Sequence, residues 1–299
     1  MISILIPTYN YNCFPLVETL LSQAEKLAIT FEIIVADDAS TDPSFLHLNR
    51  KITKLSNCEL IELKQNKGRS NIRNYLAEKA EYQWLLFLDV DTQPKNPNFL
   101  ERYLNAIDEA HDVIYGGIHY KKNKSPQNSL RYRFGIEREC VPVLKRLKAP
   151  YEHFITIAFL VKKHVFSTLS FSDNLLRYGY EDVVFALQLK EHNIKIKHVD
   201  NPITHLNLET NSEFLNKYQL SIASLLNFYR NDEITAKDNR LLSIYESLKR
   251  MNLVGLGASS FKIFRKTLEK NLHSNNPSLR VFDIFKLGYL CTLAKKKDA

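Results

Sequence analysis

The stretch Trp84-Leu85-Leu86-Phe87-Leu88-Asp89-Val90-Asp91 runs five large apolar residues straight into two carboxylates. A short run that is apolar at every position, rather than at every second one, reads as a strand buried on both faces, as strands of parallel sheets are. Open parallel sheets bind ligands in the crevice beyond the carboxyl ends of their strands, so Asp89 and Asp91 fall where chemistry is done. The residues on the N-terminal side repeat the pattern. Ile2–Ile6 is an apolar strand stopped by Pro7, and Val17, Leu20, Leu21, Ala24 and Leu27 then share one helical face. Phe31–Ala36 is a strand ending at Asp37-Asp38, and Leu60–Leu63 another. Asn66-Lys67-Gly68 is a turn, followed by a helix from about Ser70 to Ala80. Strands alternating with helices predict an α/β fold: a mostly parallel sheet flanked by helices, with Tyr9-Asn10, Asp37-Asp38, Asn66–Gly68 and Asp89–Asp91 opening onto one edge.

Two carboxylates at i and i+2 beyond a buried strand repel each other and lose solvation unless positive charge stands between them. A hard divalent cation, Mn²⁺ or Mg²⁺, answers that and keeps coordination positions for phosphate oxygens. The plainer reading is a pair of solvated turn aspartates. A haloacid-dehalogenase nucleophile motif would need Thr four residues after the first Asp, where Gln93 stands. Further on, Gly179-Tyr180-Glu181-Asp182 puts two acids at the start of a helix whose Val184, Leu187 and Leu189 face inward. They read either as caps and dipole partners or as a general base.

Five segments, each weak alone, stand in one order: Ile4-Leu5-Ile6-Pro7-Thr8-Tyr9-Asn10; Val35-Ala36-Asp37-Asp38-Ala39-Ser40-Thr41-Asp42; Asn66-Lys67-Gly68 with Ile72-Arg73-Asn74; Leu88-Asp89-Val90-Asp91; and Gly179-Tyr180-Glu181-Asp182. In this order the chain resembles the inverting, GT-A-fold glycosyltransferases of family 2 across roughly residues 2–206. The resemblance implies a nucleotide-diphosphate-sugar donor, UDP- or GDP-linked, with Pro7, Thr8 and Tyr9 clamping the base and Asp38 accepting from its edge N–H. Asn66, Gly68 and Arg73 would form the second base-and-phosphate loop. Asp89 would reach the ribose or a metal-bound water, and Asp91 the metal itself. Asp182 corresponds to the catalytic base, with Glu181 positioning acceptor or donor, and His205 lies where relatives place a late metal ligand; a structural histidine is the alternative. The Gly-Asn or Gly-Ala that the family usually shows before its acceptor segment is replaced by Ile155-Thr156-Ile157-Ala158, which leaves the donor sugar open.

The 299 residues, 44% hydrophobic and 25% charged, describe an ordinary globular chain. Cys13, Cys58, Cys140 and Cys291 lack CxxC spacing, which argues against a zinc site or disulfide framework and for a reducing, cytoplasmic setting. The first residues lack the basic and apolar regions of a signal peptide, and no run reaches the length of a membrane span. The formal charge of +8 is uneven: residues 1–210 carry 26 Lys/Arg against 25 Asp/Glu, and residues 211–299 carry 15 against 8. That predicts a catalytic domain at 1–210 and a helical, basic extension at 211–299. In the extension Phe261, Phe264, Leu268 and Leu272 share one helical face opposite Lys262, Arg265, Lys266, Glu269 and Lys270, and Lys295-Lys296-Lys297 closes an apolar stretch. Such a helix either lies on an anionic membrane, placing the protein peripherally at the inner face of the cell membrane, or covers a core. Arg131-Tyr132-Arg133-Phe134 reads as an acceptor-side loop rather than a nucleic-acid contact. The functions in contention are sugar transfer to a glycan or lipid-linked acceptor, a non-catalytic sugar-nucleotide-binding partner subunit, and a nucleotidyltransferase. The last needs a Gly-rich loop after the first strand, where Pro7–Asn12 has no Gly.

Overall fold

The structure is a computed structural model that describes residues 1–122, 125–172, 179–206 and 208–297. The strands are β1 Ile2–Thr8, β2 Phe31–Asp37, β3 Cys58–Glu62, β4 Trp84–Leu88, β5 Thr92–Pro94, β6 Val113–Tyr115, β7 Ile118–Tyr120, β8 Ala158–Lys162, β9 Ile196–His198 and β10 Ile203–His205. The α-helices are α1 Phe14–Lys26, α2 Pro43–Asn49, α3 Gly68–Lys79, α4 Phe99–Asn105, α5 Ser129–Phe134, α6 Val143–Arg146, α7 Val165–Thr168, α8 Glu181–Glu191, α9 Asn211–Arg230, α10 Arg240–Arg250, α11 Val254–Leu272 and α12 Leu279–Lys297. The main sheet has the order β3-β2-β1-β4-β8-β6-β9. β1 to β4 are parallel, while β8 runs antiparallel to both β4 and β6. A small second sheet, β5-β10-β7, stands apart from it.

The chain winds from β1 through β2 to β3 on one side, then crosses to β4 on the other side of β1. The crevice of an open sheet lies at such a reversal, between the carboxyl ends of β1 and β4. β4 is buried at all five positions, as its unbroken apolar run requires. Phe87 stacks on Phe159 of β8 at 5.1 Å, and the same core holds Phe171 and Phe185 with ring centroids 4.4 Å apart.

The contacts divide the chain into two units: residues 1–121, 139–173 and 185–207 in the first, and 122–138, 174–184 and 208–299 in the second. The sequence suggests a single cut at 210/211. The contacts group 122–138 with the second unit as well, because Leu130 is buried with Phe214, Phe282 and Phe285, with Phe134 packed against them. The stretch read as an acceptor-side loop is therefore corrected to a helical turn, α5. Arg131 there is buried and paired with Glu209 at 3.2 Å. The apolar face expected in the basic extension is split: Phe261 and Leu272 are in this core, Leu268 packs at its border, and Phe264 is 58% exposed. Among the described residues no helix is long and apolar enough to cross a membrane. The side chains of residues 296 and 297, part of the lysine run, lie outside the described residues.

One buried polar knot in the first unit predicts a pH effect. Arg146 donates to the carbonyls of Tyr115, Gly116, Val141 and Val199, and its Nη1 lies 3.0 Å from Nδ1 of His198, whose Nε2 reaches the Pro150 carbonyl at 2.9 Å. That arrangement needs a neutral ring with its proton on Nε2. Burial first, and then the guanidinium, pull the His198 pKa down to about 4 from its ordinary 6.5. The folded state therefore binds fewer protons than the unfolded chain between these values. Stability should be full above pH 6.5 and fall by roughly 2 kcal/mol, allowing for solvent screening, as the pH drops toward 4. His198→Gln should flatten the urea-midpoint profile in that window.

Candidate active site

The four strand ends of the first unit carry loops that hydrogen-bond to one another. Asn10, beyond β1 in a left-handed conformation at φ 48°, accepts from the N–H groups of Thr41 and Asp42 and donates through its own N–H to Ser40 Oγ at 2.8 Å. Asp37, buried at the end of β2, holds Ser40 through both carboxylate oxygens. Asp38 is also buried; its Oδ1 accepts from Lys67 N–H at 2.6 Å and its Oδ2 from Gly68 N–H at 3.0 Å, while Asn66 Nδ2 donates back to the Asp38 carbonyl at 2.9 Å. Gly68 begins α3 at φ 79°, a conformation that favours glycine, so its place in the motif is a backbone requirement. Pro7 and Thr8 are the last two residues of β1, and Tyr9 just beyond is 48% exposed, leaving its ring available to stack on a flat ligand.

Asp89 follows β4, fixed by its N–H on the Ile157 carbonyl at 2.8 Å and by Thr92 Oγ1 on its own carbonyl at 2.6 Å. Its carboxylate is held by two arginines of α3: Arg73 Nη2 reaches Oδ1 at 2.5 Å and Arg69 Nη2 reaches Oδ2 at 3.3 Å. Arg73 is buried, its guanidinium lying over the Phe171 ring at 5.5 Å. Part of the positive charge that an Asp89/Asp91 pair requires is therefore supplied by the protein. Arg69, which the motif reading passed over, is the half-exposed member of the pair and the one open to a phosphate. Its signal was only its spacing, four residues before Arg73 on one helical face.

Asp91 is met from the other side by β10. The pairing of β10 with β5 sets His205 opposite Thr92, bringing His205 Nε2 to 3.4 Å from Asp91 Oδ2. The imidazole is nearly buried, tilted against the Tyr120 ring at 5.5 Å, and its Nδ1 has no hydrogen-bond partner among the described residues. Two cis ligands at about 2.1 Å from an octahedral ion stand about 3 Å apart, so this carboxylate and imidazole fit one edge of such a shell. Among the described residues no group of three or more His, Cys, Asp or Glu side chains closes around a metal. The pair suits an ion that takes its remaining ligands from a phosphorylated substrate and water. Tyr11, also unanticipated, has its phenol pKa raised by burial and then by the Asp91 charge.

Glu181 and Asp182 belong to the second unit's clustering and open α8. The turn before them is constrained. Gly179 sits at φ 96°, where an added Cβ would lie 2.5 Å from the Ser221 Cβ, and Tyr180 is left-handed at φ 69°. Burial pushes the Tyr180 phenol up to about 12, opposed by a bond to Asn239. Glu181 is buried; Asp182 is half-buried and accepts from Val183 N–H at 2.9 Å.

Arg73 offers a stability test. Removing the buried Arg73 leaves the partly buried Asp89 carboxylate with Arg69 alone at 3.3 Å, at a cost of about 2 kcal/mol, below the roughly 3–5 kcal/mol for breaking a fully buried pair. Arg73→Leu should lower the urea midpoint accordingly, and adding Asp89→Asn should recover part of the loss. Simple additivity of the two substitutions would show that the pair is not coupled.

The Glycosyl transferase family 2 model matches residues 3–170, more than half of the chain. A Haemophilus influenzae protein described as an uncharacterized glycosyltransferase is 35% identical over 117 residues, 39% of this chain and 46% of that one. The hyaluronan synthase of Streptococcus pyogenes is 26% identical over 151 residues, 46% of this chain and 35% of the synthase. The chain thus spans less than half the length of these relatives. Among solved structures, residues 1-349 of Staphylococcus aureus TarS superpose with TM-score 0.52 at 20% identity, covering 100% of this chain and 92% of that one. A Pyrobaculum calidifontis mannosyltransferase, in complex with GDP-Man and Mn²⁺, superposes with TM-score 0.59 at 14% identity, covering 99% and 86%. At these identities the structures show a shared GT-A fold.

Proposed function

The chain belongs to glycosyltransferase family 2, and on that premise we propose that it moves a hexose or N-acetylhexosamine from a UDP- or GDP-linked sugar to a hydroxyl of a glycan or lipid-linked acceptor, inverting the anomeric centre. The observation that carries this reading is the convergence, at the switch point between β1 and β4, of the Asp91–His205 pair, the half-exposed Arg69 and the hydrogen-bonded loops at Asn10, Asp38 and Asn66–Gly68. In this reading Tyr9 stacks on the base, and the loop held by Asp38 forms the wall beside it. Arg69 faces the diphosphate, while Arg73 orients Asp89. Asp91 and His205 hold a divalent cation, which when bound neutralises the diphosphate as the sugar leaves. The mannosyltransferase with Mn²⁺ is the precedent for that ion, and an imidazole ligand favours Mn²⁺ over Mg²⁺. Asp182 takes the proton of the attacking hydroxyl in a single in-line displacement, with Glu181 beside it. The protein works on the cytoplasmic side, peripheral to the membrane.

The test is hydrolysis of a panel of UDP- and GDP-sugars with Mn²⁺ or Mg²⁺, read as released nucleotide. One or two donors should be turned over, and only with a cation present. A panel neither bound nor hydrolysed under any condition would end the reading.

A further inference from the structure

Helices α11 and α12 form an antiparallel pair inside the second unit, held close by two glycines. A Cβ at Gly288 would come within 2.6 Å of the Phe261 ring, and one at Gly257 within 3.1 Å of Cys291 Sγ. Beside this contact lies an open groove of about 270 Å³ whose walls are almost wholly apolar, among them Phe264, Leu268, Ile284 and Leu287. Two of its wall residues are exposed, Phe264 at 58% and Ile284 at 58%, and further round α11, outside the groove, Leu256 at 63% and Ile263 at 74% extend the exposed apolar surface. Neither the hydrophobic core of this unit nor the donor site uses these side chains.

Charge decides what covers the groove. Lys262, Lys266 and Lys270, at i, i+4 and i+8, form an exposed row that at 100° per residue lies beside the Leu256 and Ile263 row. On α12 the groove face runs from Arg280 through Ile284, Leu287, Gly288 and Cys291 to Lys295, so an exposed cation stands at each end. The one carboxylate of each helix is already paired, Glu269 with Arg265 at 2.8 Å and Asp283 with Lys286 at 2.9 Å. Lys262, Lys266, Lys270 and Arg280 make no ion pair among the described residues. A second copy of the chain would bring the same uncompensated cations face to face. An anionic phospholipid surface supplies both what the lysines lack and what the groove lacks: phosphates at the height of the ammonium groups and acyl chains below them.

We propose that the α11–α12 pair docks on anionic bilayers, with Ile263, Phe264 and Ile284 entering the acyl boundary, the groove taking one lipid chain, and the Lys262–Lys266–Lys270 row binding headgroup phosphates. This deepens the reading of a membrane-borne acceptor and rests on it for its purpose, though not for its geometry.

The test is co-sedimentation of the full chain with vesicles of phosphatidylcholine alone and of equimolar phosphatidylcholine and phosphatidylglycerol. Binding should be confined to the anionic vesicles and weaken with salt. Lys262→Gln/Lys266→Gln/Lys270→Gln should lower the partition coefficient by roughly 100-fold. Ile263→Ser/Phe264→Ser should lower it at least about tenfold with an unchanged melting temperature, since both side chains are exposed. Equal partition of parent and variants, or none by the parent, overturns the proposal. So does a parent that sediments as a dimer which Ile263→Ser/Phe264→Ser converts to monomer, because the face then joins two copies. Nucleotide-sugar hydrolysis by the same preparations separates the two readings. Turnover without vesicle binding removes the docking surface alone, whereas vesicle binding without turnover of any donor removes the proposed function alone.

Discussion

Asp182→Asn is expected to slow sugar transfer by about 10²–10⁴-fold while leaving donor affinity and melting temperature nearly unchanged. The substitution keeps the shape and one acceptor oxygen, so the 2.9 Å bond from Val183 N–H survives. What it removes is the capacity to take a proton. The position suits a base, because the first turn of α8 fixes the carboxylate on a rigid element and half-burial leaves it reachable. A capping role predicts the opposite pattern: a loss of about 0.5–2 kcal/mol for Asp182→Ala, little for Asn, and no specific loss of turnover. Transfer rate, donor affinity and melting temperature of the one Asn variant separate these outcomes. Near-normal transfer would move the assignment to Glu181.

Asp91→Ala should weaken nucleotide-sugar binding on the order of 10²-fold or more and abolish its dependence on added Mn²⁺, as EDTA should for the parent. Loss of a supporting outer-shell group commonly costs 10–100-fold in metal affinity, and loss of a direct ligand should exceed that. His205→Ala should act in the same direction, because its Nε2 is the other half of the pair. Asp89→Asn should differ, since that carboxylate is held by Arg69 and Arg73: its effect should fall on donor affinity, with the cation requirement retained. Calorimetric titration of donor with and without Mn²⁺ gives all four answers. A parent and Asp91→Ala protein with the same affinity and the same cation response would dispose of the metal assignment.

What was legible in the sequence follows from which forces act locally. Apolar runs ending near Pro7, at Asp37-Asp38 and before Asn66–Gly68 placed the first four strands, although Pro7 does not stop β1, which pairs with β2 through Thr8, and β3 is a half-exposed edge rather than a strand buried on both faces. The edges moved by a residue or two, β3 being Cys58–Glu62 and α3 beginning at Gly68. Nothing local announces that Leu130 and Phe134 pack with Phe214 and Phe282, about eighty and a hundred and fifty residues further on, so the α5 segment looked like a loop. The site was legible as positions and not as pairings. Spacing alone makes Asp89 and Asp91 alike, and only the family resemblance gave them different roles; in the structure one is held by arginines from α3 and the other faces a histidine from β10, partners that no local pattern announces.

The loops beyond β1, β2 and β3 are fastened to one another before any ligand arrives. Asn10 bridges to residues 40–42, and Asp38 to residues 66–68, by bonds that belong to the folded chain itself. Fixing a loop residue costs about 1–2 kcal/mol of conformational entropy, and here that cost falls on folding rather than on association. A ligand at these strand ends, a nucleotide sugar on the proposed function, therefore meets a surface already in shape. Its capture should follow a single exponential with a rate linear in donor concentration, and loosening the lattice, as in Asn10→Ala, should add a slower, concentration-independent phase.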